Sequence, residues 1–168
     1  GNRAETAALE SGFIKEGVLL NEELIKGKRI DILRFGLSSE DFHSRFPELK
    51  NKPAPDIFDE IKSAKLSLLP FSEKYITGNY VSWLNDPETV RFSEQRHYHH
   101  SIRSCTDYVR SLIAGASGMM WAVIRNSDSL HIGNMNAYID MQYSTADIGI
   151  LIGEKSCRGR GVGYEAMT

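Results

Sequence analysis

An α+β fold (α/β in some schemes), with a mixed and mostly antiparallel central sheet flanked by helices, follows from three features of this sequence. Short apolar runs at 119–124, 132–139 and 146–152 are separated by Asn126-Ser127-Asp128 and by the polar stretch 140–144. Such spacing predicts consecutive antiparallel strands. A glycine-rich stretch, Arg158-Gly159-Arg160-Gly161-Val162-Gly163, follows the last run and opens a helix. Before the strands, Ile102, Cys105, Tyr108, Val109 and Leu112 recur at helical spacing behind Ser101, a capping residue.

The remaining elements follow in order. Residues 4–11 are good helix formers, stopped by Gly12 in the position of a C-cap. Residues 13–20 read as a strand interrupted by Gly17, and 29–35 as its partner across a Lys26-Gly27-Lys28 turn. Ser39 caps a short helix to Phe46, closed by Pro47. Asn51 to Asp56, with Pro53 and Pro55, is a linker, because two prolines neither extend a helix nor sit in a central strand. Residues 56–64 predict a short helix and 65–69 a strand ending at Pro70. Ser72 caps a helix to about Asn85, and Pro87 sits in the first turn of the next segment. The run 146–152 is nearly continuous in apolar character, which predicts a central strand. Trp83, Trp121, Phe71 and Phe92 read as core residues.

A chain of 168 residues suits one domain, here 1–168, and buries a real core. With 41% hydrophobic and 25% charged residues, it has the composition of a globular protein. A net charge of -2 gives no global electrostatic case for nucleic acid or an anionic membrane. No apolar run approaches the roughly 20 residues needed to span a bilayer, and no signal peptide is visible, so the expectation is a cytoplasmic chain. Cys105 and Cys157 match no metal-ligand spacing and read as free thiols.

The glycine-rich stretch carries the chemistry. Its glycines let the backbone turn tightly and approach a ligand, while the unpaired amides of a helix start suit phosphate oxygens. The spacing is neither G-x-x-x-x-G-K-[ST] nor G-x-G-x-x-G, which sets aside a P-loop and a dinucleotide fingerprint. A plain glycine-rich connector is the other reading.

Arg158-x-x-Gly161-x-Gly163 meets the acetyl-CoA signature Q/R-x-x-G-x-G/A of the GNAT N-acetyltransferase superfamily. The surroundings are similar as well. His131-Ile132-Gly133-Asn134 looks like the opening of that family's third strand, and residues 146–154 look like its fourth. Trp83-Leu84-Asn85-Asp86-Pro87-Glu88 resembles the segment after the first helix in the ribosomal-protein and amino-sugar branch. Residues 65–168 thus resemble the family's first half. Ser11-Gly12-Phe13-Ile14-Lys15-Glu16-Gly17 and Gly27-Lys28-Arg29-Ile30-Asp31 resemble its second half, so 1–50 corresponds to the C-terminal part and 51–64 to a linker. The halves stand in reverse order, without most of the third helix and the fifth strand. Three explanations remain open: numbering out of chain order with a segment missing, which is preferred, a permutation, or a piece spanning two tandem copies.

The resemblance implies direct attack of a neutral primary amine on the thioester of acetyl-CoA. It implies that amides of Gly161, Val162 and Gly163 hold the pyrophosphate, helped by Arg158, Gly159 and Arg160. Main chain at Ile150, Leu151 and Ile152 would pair with the pantetheine arm like an added strand and polarise the thioester carbonyl. Asn2 is matched to the family's helix-start Asn, one residue short. The helix that carries a tyrosine acid in many relatives has Ala7, Ala8 and Leu9 in the corresponding region. Asp147 and Glu94 are the candidate catalytic bases, each with a solvated or structural carboxylate as the other reading.

His97, His99 and His100 flank Tyr98. Neighbours on one strand alternate faces and no further ligand completes a metal pattern, so no metal is expected. An exposed loop is the plain reading, and the resemblance makes His97 and His99 substrate-binding. The partners so implied are acetyl-CoA as co-substrate and a small-molecule or peptide amine acceptor. Relatives often pair as homodimers, and whether residues 1–50 and 65–168 complete one domain in cis or exchange between chains stays open. A catalytically silent acyl-CoA-binding or interaction domain is the competing function. A nucleotide-binding domain of another fold, taking ATP or NAD, is the third.

Overall fold

The computed structural model describes residues 3–45, 47, 59–114, 118–140, 142–143 and 145–167. Contacts divide the chain into two compact units, one of residues 1–55 with 167–168 and one of residues 56–166. The predicted linker 51–56 and Asn2 lie outside the described residues.

In the first unit, helix α1 (Arg3–Glu10) ends in a left-handed turn at Gly12, φ 94°. The Phe13 amide donates to Ala8 O and the Gly12 amide to Leu9 O, the paired bonds that close a Schellman end. Strands β1 (Ile14–Ile25) and β2 (Lys28–Gly36) form an antiparallel hairpin. Its register slips between Lys15 and Gly17, which places a bulge where the sequence suggested an interruption. The strands run further than expected on both sides of the turn. Helix α2 (Ser39–Arg45) is capped by Ser38 rather than Ser39, since the Asp41 amide donates to Ser38 Oγ at 2.9 Å.

The second unit is a five-stranded antiparallel sheet in the order β3-β4-β5-β6-β7, with helices packed on it. Its strands are β3 (Ile61–Lys62), β4 (Leu66–Pro70), β5 (Gly118–Arg125), β6 (Leu130–Asp140) and β7 (Thr145–Ile152). The helices are α3 (Gly78–Asn85), α4 (Ile102–Ala114) and α5 (Val162–Met167). No helix among the described residues is long and apolar enough to cross a membrane.

Four local expectations are corrected. No helix runs from 59 to 64: Ile61 and Lys62 pair with Leu68 and Ser67. Ser63 explains this, because its amide and hydroxyl both donate to Leu66 O and its hydroxyl accepts from the Leu66 amide, closing a tight turn. The helix predicted over 72–85 is broken into a 3₁₀ turn at Glu73–Tyr75 and α3. Ser72 makes no side-chain cap bond, whereas Thr77 Oγ1 accepts from the Tyr80 amide. After α3, Pro87 enters no helix. Asp86 accepts from the Glu88 amide and from Thr89 Oγ1, and these bonds hold a turn. Finally, β7 is an edge strand in this sheet, not a central one. Its Ile148 and Ile150 are exposed, so its apolar run reflects pairing with β6 and one covered face rather than burial on both.

The core lies between the sheet and the helices α3 and α4. Met120, Ala122 and Ile124 of β5 meet Tyr80, Trp83, Cys105 and Val109 from the helices. Phe71 and Trp83 are buried as expected, Trp121 is half-buried, and Phe92 is exposed instead of in the core. Gly153, just past β7, lies against the Trp83 indole. A Cβ there would stand 1.9 Å from a ring carbon of a side chain already wedged against Tyr80 and His131. Gly153→Ala is therefore expected to destabilise the protein by about 1–3 kcal/mol through overpacking, measured by chemical denaturation.

Candidate active site

Strand β6 is buried where it crosses the core, yet it carries a polar residue at every second position. Asn134, Asn136 and Tyr138 share one face, because i, i+2 and i+4 of a strand point the same way. Their register partners identify that face. Asn134 stands opposite Ala122 of β5 and Leu151 of β7, and Asn136 opposite Met120 and Gly149. Met120 and Ala122 belong to the helix-side core, so the polar column faces the helices.

Above this column lies a cavity of about 780 Å³. One wall is β7 from Gly149 to Ile152. The opposite wall is the segment from Thr89 to His100, and α4 closes the remaining side through Ser104, Cys105 and Tyr108. At the α4 side, the Tyr108 and Tyr138 hydroxyls share a hydrogen bond of 2.5 Å, which ties helix to strand. Burial pushes the Tyr80 phenol well above its ordinary range. Burial and the bond to Tyr138 do the same for Tyr108, and burial raises the Cys105 thiol. These groups stay protonated through neutral pH and act as neutral hydrogen-bonding walls.

The histidine segment is held from below. The Asn85 carboxamide accepts from the His100 amide at 2.8 Å and donates to His100 O at 2.9 Å, a two-point clamp from the last residue of α3. His99 and His100 line the cavity, whereas His97 does not. His97 is exposed, with Nε2 4.0 Å from Glu94. Glu94 starts a 3₁₀ turn, lines the cavity, and lies 3.4 Å from Arg96. Asp147 is exposed on β7 opposite Tyr138. It shares the face of the polar column but lies outside the cavity lining. Among the described residues, no three His, Cys, Asp or Glu side chains converge as a metal site.

Ile150, Leu151 and Ile152 line the cavity and pair with Met135, Asn134 and Gly133. Beyond them the glycine-rich loop turns through two left-handed residues, Gly159 (φ 71°) and Gly161 (φ 77°). A Cβ added at Gly161 or Gly163 would meet no other atom within 4 Å, so the space beside both residues is open. Val162 begins α5, and Arg160 is exposed. None of residues 158–163 lines the cavity itself. Arg158 is committed to structure: Nε donates to Ile152 O (3.1 Å), and Nη2 donates to Gly153 O (2.9 Å) and Thr89 Oγ1 (2.6 Å). Thr89 Oγ1 in turn donates to Asp86 (2.7 Å), which also meets Lys155 at 3.2 Å. This chain of bonds ties the loop after β7 to the turn after α3. At the far end of the loop, Glu165 accepts from Ser63 Oγ and the Lys65 amide, which fastens α5 to the β3–β4 turn.

Sequence reading missed Asn85, Asn134, Asn136, Tyr108 and Tyr138 as site residues. The period-two polarity of Asn134-x-Asn136-x-Tyr138 inside an apolar strand was the available signal.

A family model described as an acetyltransferase (GNAT) domain matches residues 65–168. No curated protein matches the chain. In fold, the chain is similar to the acetyltransferase (GNAT family) from Bacillus anthracis. That likeness has 15% identity and a TM-score of 0.53, over 64% of this chain and 61% of that one. It is also similar to a chain from Vibrio cholerae described as a "putative ribosomal-protein-serine acetyltransferase". There the identity is 17% and the TM-score 0.45, over 65% of this chain and 62% of that one. In both comparisons this chain spans less than two thirds of the other's length.

Asp86 gives the bonded turn a pH signature. Hydrogen bonds from Thr89 and the Glu88 amide, then Lys155, hold its carboxyl down at about 2. Its folded value lies below the unfolded one of about 3.9. Its stabilising contribution is therefore complete above about pH 4 and is lost as pH falls through about 2. The melting-temperature difference between wild type and Asp86→Ala is expected to hold from pH 7 to 5, narrow below 4, and vanish near 2.

Proposed function

We propose that this chain, which belongs to the GNAT acetyltransferase family, transfers acetyl from acetyl-CoA to a primary amine of a small molecule, an amino sugar or a protein N-terminus. The observation that carries this reading is the cavity bounded by β7 from Gly149 to Ile152, the strand that the glycine-rich loop follows in the chain. Among the described residues of the second unit β7 pairs with β6, and no strand pairs with its other edge. An extended pantetheine arm fits such an edge as an added strand. The left-handed turns at Gly159 and Gly161 and the open space beside Gly161 and Gly163 fit close approach of a pyrophosphate to the main chain. Bound acetyl-CoA would supply an activated acetyl group on a thiol that leaves.

The protein's own groups divide the remaining work. Main chain of Ile150, Leu151 and Ile152 orients the arm, and amides of Gly161, Val162 and Gly163 bind phosphate together with Gly159 and the exposed cation of Arg160. Arg158 acts as a positioning residue, because its guanidinium already fixes Ile152, Gly153 and Thr89. Glu94 takes the proton from the acceptor ammonium, directly or through water, with His99 on the cavity lining contacting the acceptor, whereas His97 lies outside that lining, 4.0 Å from Glu94. Asp147 is the second candidate base, and its position outside the lining makes Glu94 the better one. Residues 1–50 serve as the family's C-terminal part and 65–168 as its N-terminal part, joined by 51–64 in one acetyltransferase domain. A homodimer with exchanged segments suits that order, and sedimentation equilibrium tests it.

Calorimetric titration with acetyl-CoA tests the cofactor reading. Wild type is expected to bind saturably, and Gly161→Val with Arg160→Glu to bind at least tenfold more weakly while remaining folded. A valine is strained at φ 77°, and the second change reverses a phosphate-facing charge. Glu94→Gln is expected to leave that binding intact and lower kcat by roughly a hundredfold. Cofactor binding with no transfer to any amine would instead assign a catalytically silent acyl-CoA-binding domain.

A further inference from the structure

A bulge in β6 turns a histidine into the aromatic core. Gly133 pairs with Val123 and His131 with Ile124, so Ile132 is an extra residue between them. Ile124 belongs to the helix-side core, and the bulge therefore brings His131 to the same face as Asn134. Strict alternation would have sent it to the other side of the sheet. On the helix side the imidazole meets four rings. Their centroids lie at 5.0 Å (Tyr75), 5.2 Å (Trp83), 6.0 Å (Phe71) and 6.2 Å (Tyr80). Its Nε2 is sealed from solvent and has no hydrogen-bond partner.

The neutral ring suits that place and the charged one does not. A neutral imidazole presents a bare lone pair at Nε2, whereas an imidazolium would bury an N–H there without an acceptor. Aromatic faces attract cations, but Lys74 Nζ already lies 4.8 Å from the centre of the Tyr75 ring, so a second cation would join a first. Among the described residues no carboxylate pairs with the imidazole. Glu73, in the same 3₁₀ turn as Tyr75, is bonded to Arg110, and Glu154, beyond Gly153, to the Ser156 amide. Tyr75 and Tyr80 bring phenols, Phe71 and Trp83 uncharged rings, and β5 the apolar Ile124. Burial accordingly lowers the imidazole below its ordinary range, against a smaller opposing pull from the Gly133 main chain.

This ring bears on the site through Trp83. The indole packs against both His131 and Gly153, where an added Cβ would stand 1.9 Å from a ring carbon. Next to His131, the Ile132 carbonyl accepts from the amides of Gly153 (2.9 Å) and Glu154 (3.0 Å). One short stretch of β6 thus sets the main chain where β7 ends, by packing and by hydrogen bonds. Resting on the acetyl-CoA reading, we infer that His131 is a positioning residue: as an uncharged ring it seats Trp83 against Gly153 and holds the end of β7 for the cofactor, and on gaining a proton it releases both. The folded ring takes its proton below the unfolded value of about 6.5. The seat is therefore complete above about pH 6.5 and is lost as pH falls through the folded value.

Calorimetry of acetyl-CoA binding on the full chain, wild type against His131→Phe, tests this. Phenyl keeps an aromatic ring in the cluster and gains no proton, and titration of the cofactor's own phosphates is common to both proteins. From about pH 7.5 to about 5, wild type is expected to lose roughly tenfold more affinity than the variant. Imidazole NMR of wild type is expected to show His131 protonating below about 6.5, in step with that loss. Amide exchange at Gly153 and Glu154 reads the seat without any ligand. It is expected to quicken in acid relative to the variant and to the amides of β4 in the same sample. Equal loss of affinity in both proteins would overturn the inference, as would a His131 that titrates at its ordinary value or exchange at Gly153 and Glu154 that follows β4. Should His131→Phe fail to fold, the NMR titration and the comparison with β4 decide on wild type alone. Wild type that binds no acetyl-CoA at the neutral end fails the cofactor reading, while exchange still decides whether His131 holds the end of β7.

Discussion

Pairing of β7 with β6 is the constraint on which the site depends. The ladder runs from Gly133–Ile152 to Asp140–Thr145 without a slip, and in doing so it fixes two things at once. It sets Gly149 and Leu151 beside Asn136 and Asn134, so the floor and one wall of the cavity are a single hydrogen-bonded surface. It also aims the end of β7 into the loop that follows. A slip of one residue would turn the polar column to the other face and bury apolar groups where the amides now stand. Gly133 permits this closeness, since a Cβ there would meet Leu151 O at 2.1 Å.

Around that ladder the rest of the unit acts as scaffolding. Trp83 seats against Gly153, Arg158 ties the end of β7 to Thr89, and Thr89 passes the connection to Asp86 and Lys155. Asn85 holds the histidine segment from the end of α3. Each bond is individually modest, worth about 1 kcal/mol in a typical case. Together they hold the strand-side and loop-side walls in place, the preorganisation that the proposed transfer needs. The arginine that a sequence motif presents as a phosphate ligand is, in this arrangement, part of that frame.

The strands over 118–152 were legible because apolar runs bounded by turn residues leave few alternatives, and α4 because its apolar stripe holds helical spacing from Ile102 to Leu112. The misread elements share a cause: one side chain outweighed the local average. Ser63 closes a turn where propensity allowed a helix, and Thr77 caps α3 five residues after Ser72 offered a start. The run at 146–152 looks central because apolar composition does not distinguish a strand paired on two sides from one with a covered face. Within the site, Ile150, Leu151, Ile152, Glu94 and His99 were picked out in sequence and converge on the cavity, while His97 and Asp147 do not line it. The column Asn134, Asn136 and Tyr138 escaped notice because polarity at every second residue looks the same whether a strand faces solvent or a polar cavity. Only the register with Met120 and Ala122 separates the two.

The central proposal is that acetyl-CoA lies along the edge of β7 away from β6 and into the glycine-rich loop. Amide hydrogen exchange on the full chain, with and without saturating acetyl-CoA, tests it most directly. The account predicts added protection at residues 149–152 and 161–163, with β4 unchanged. Saturable binding that leaves both stretches unprotected would contradict it.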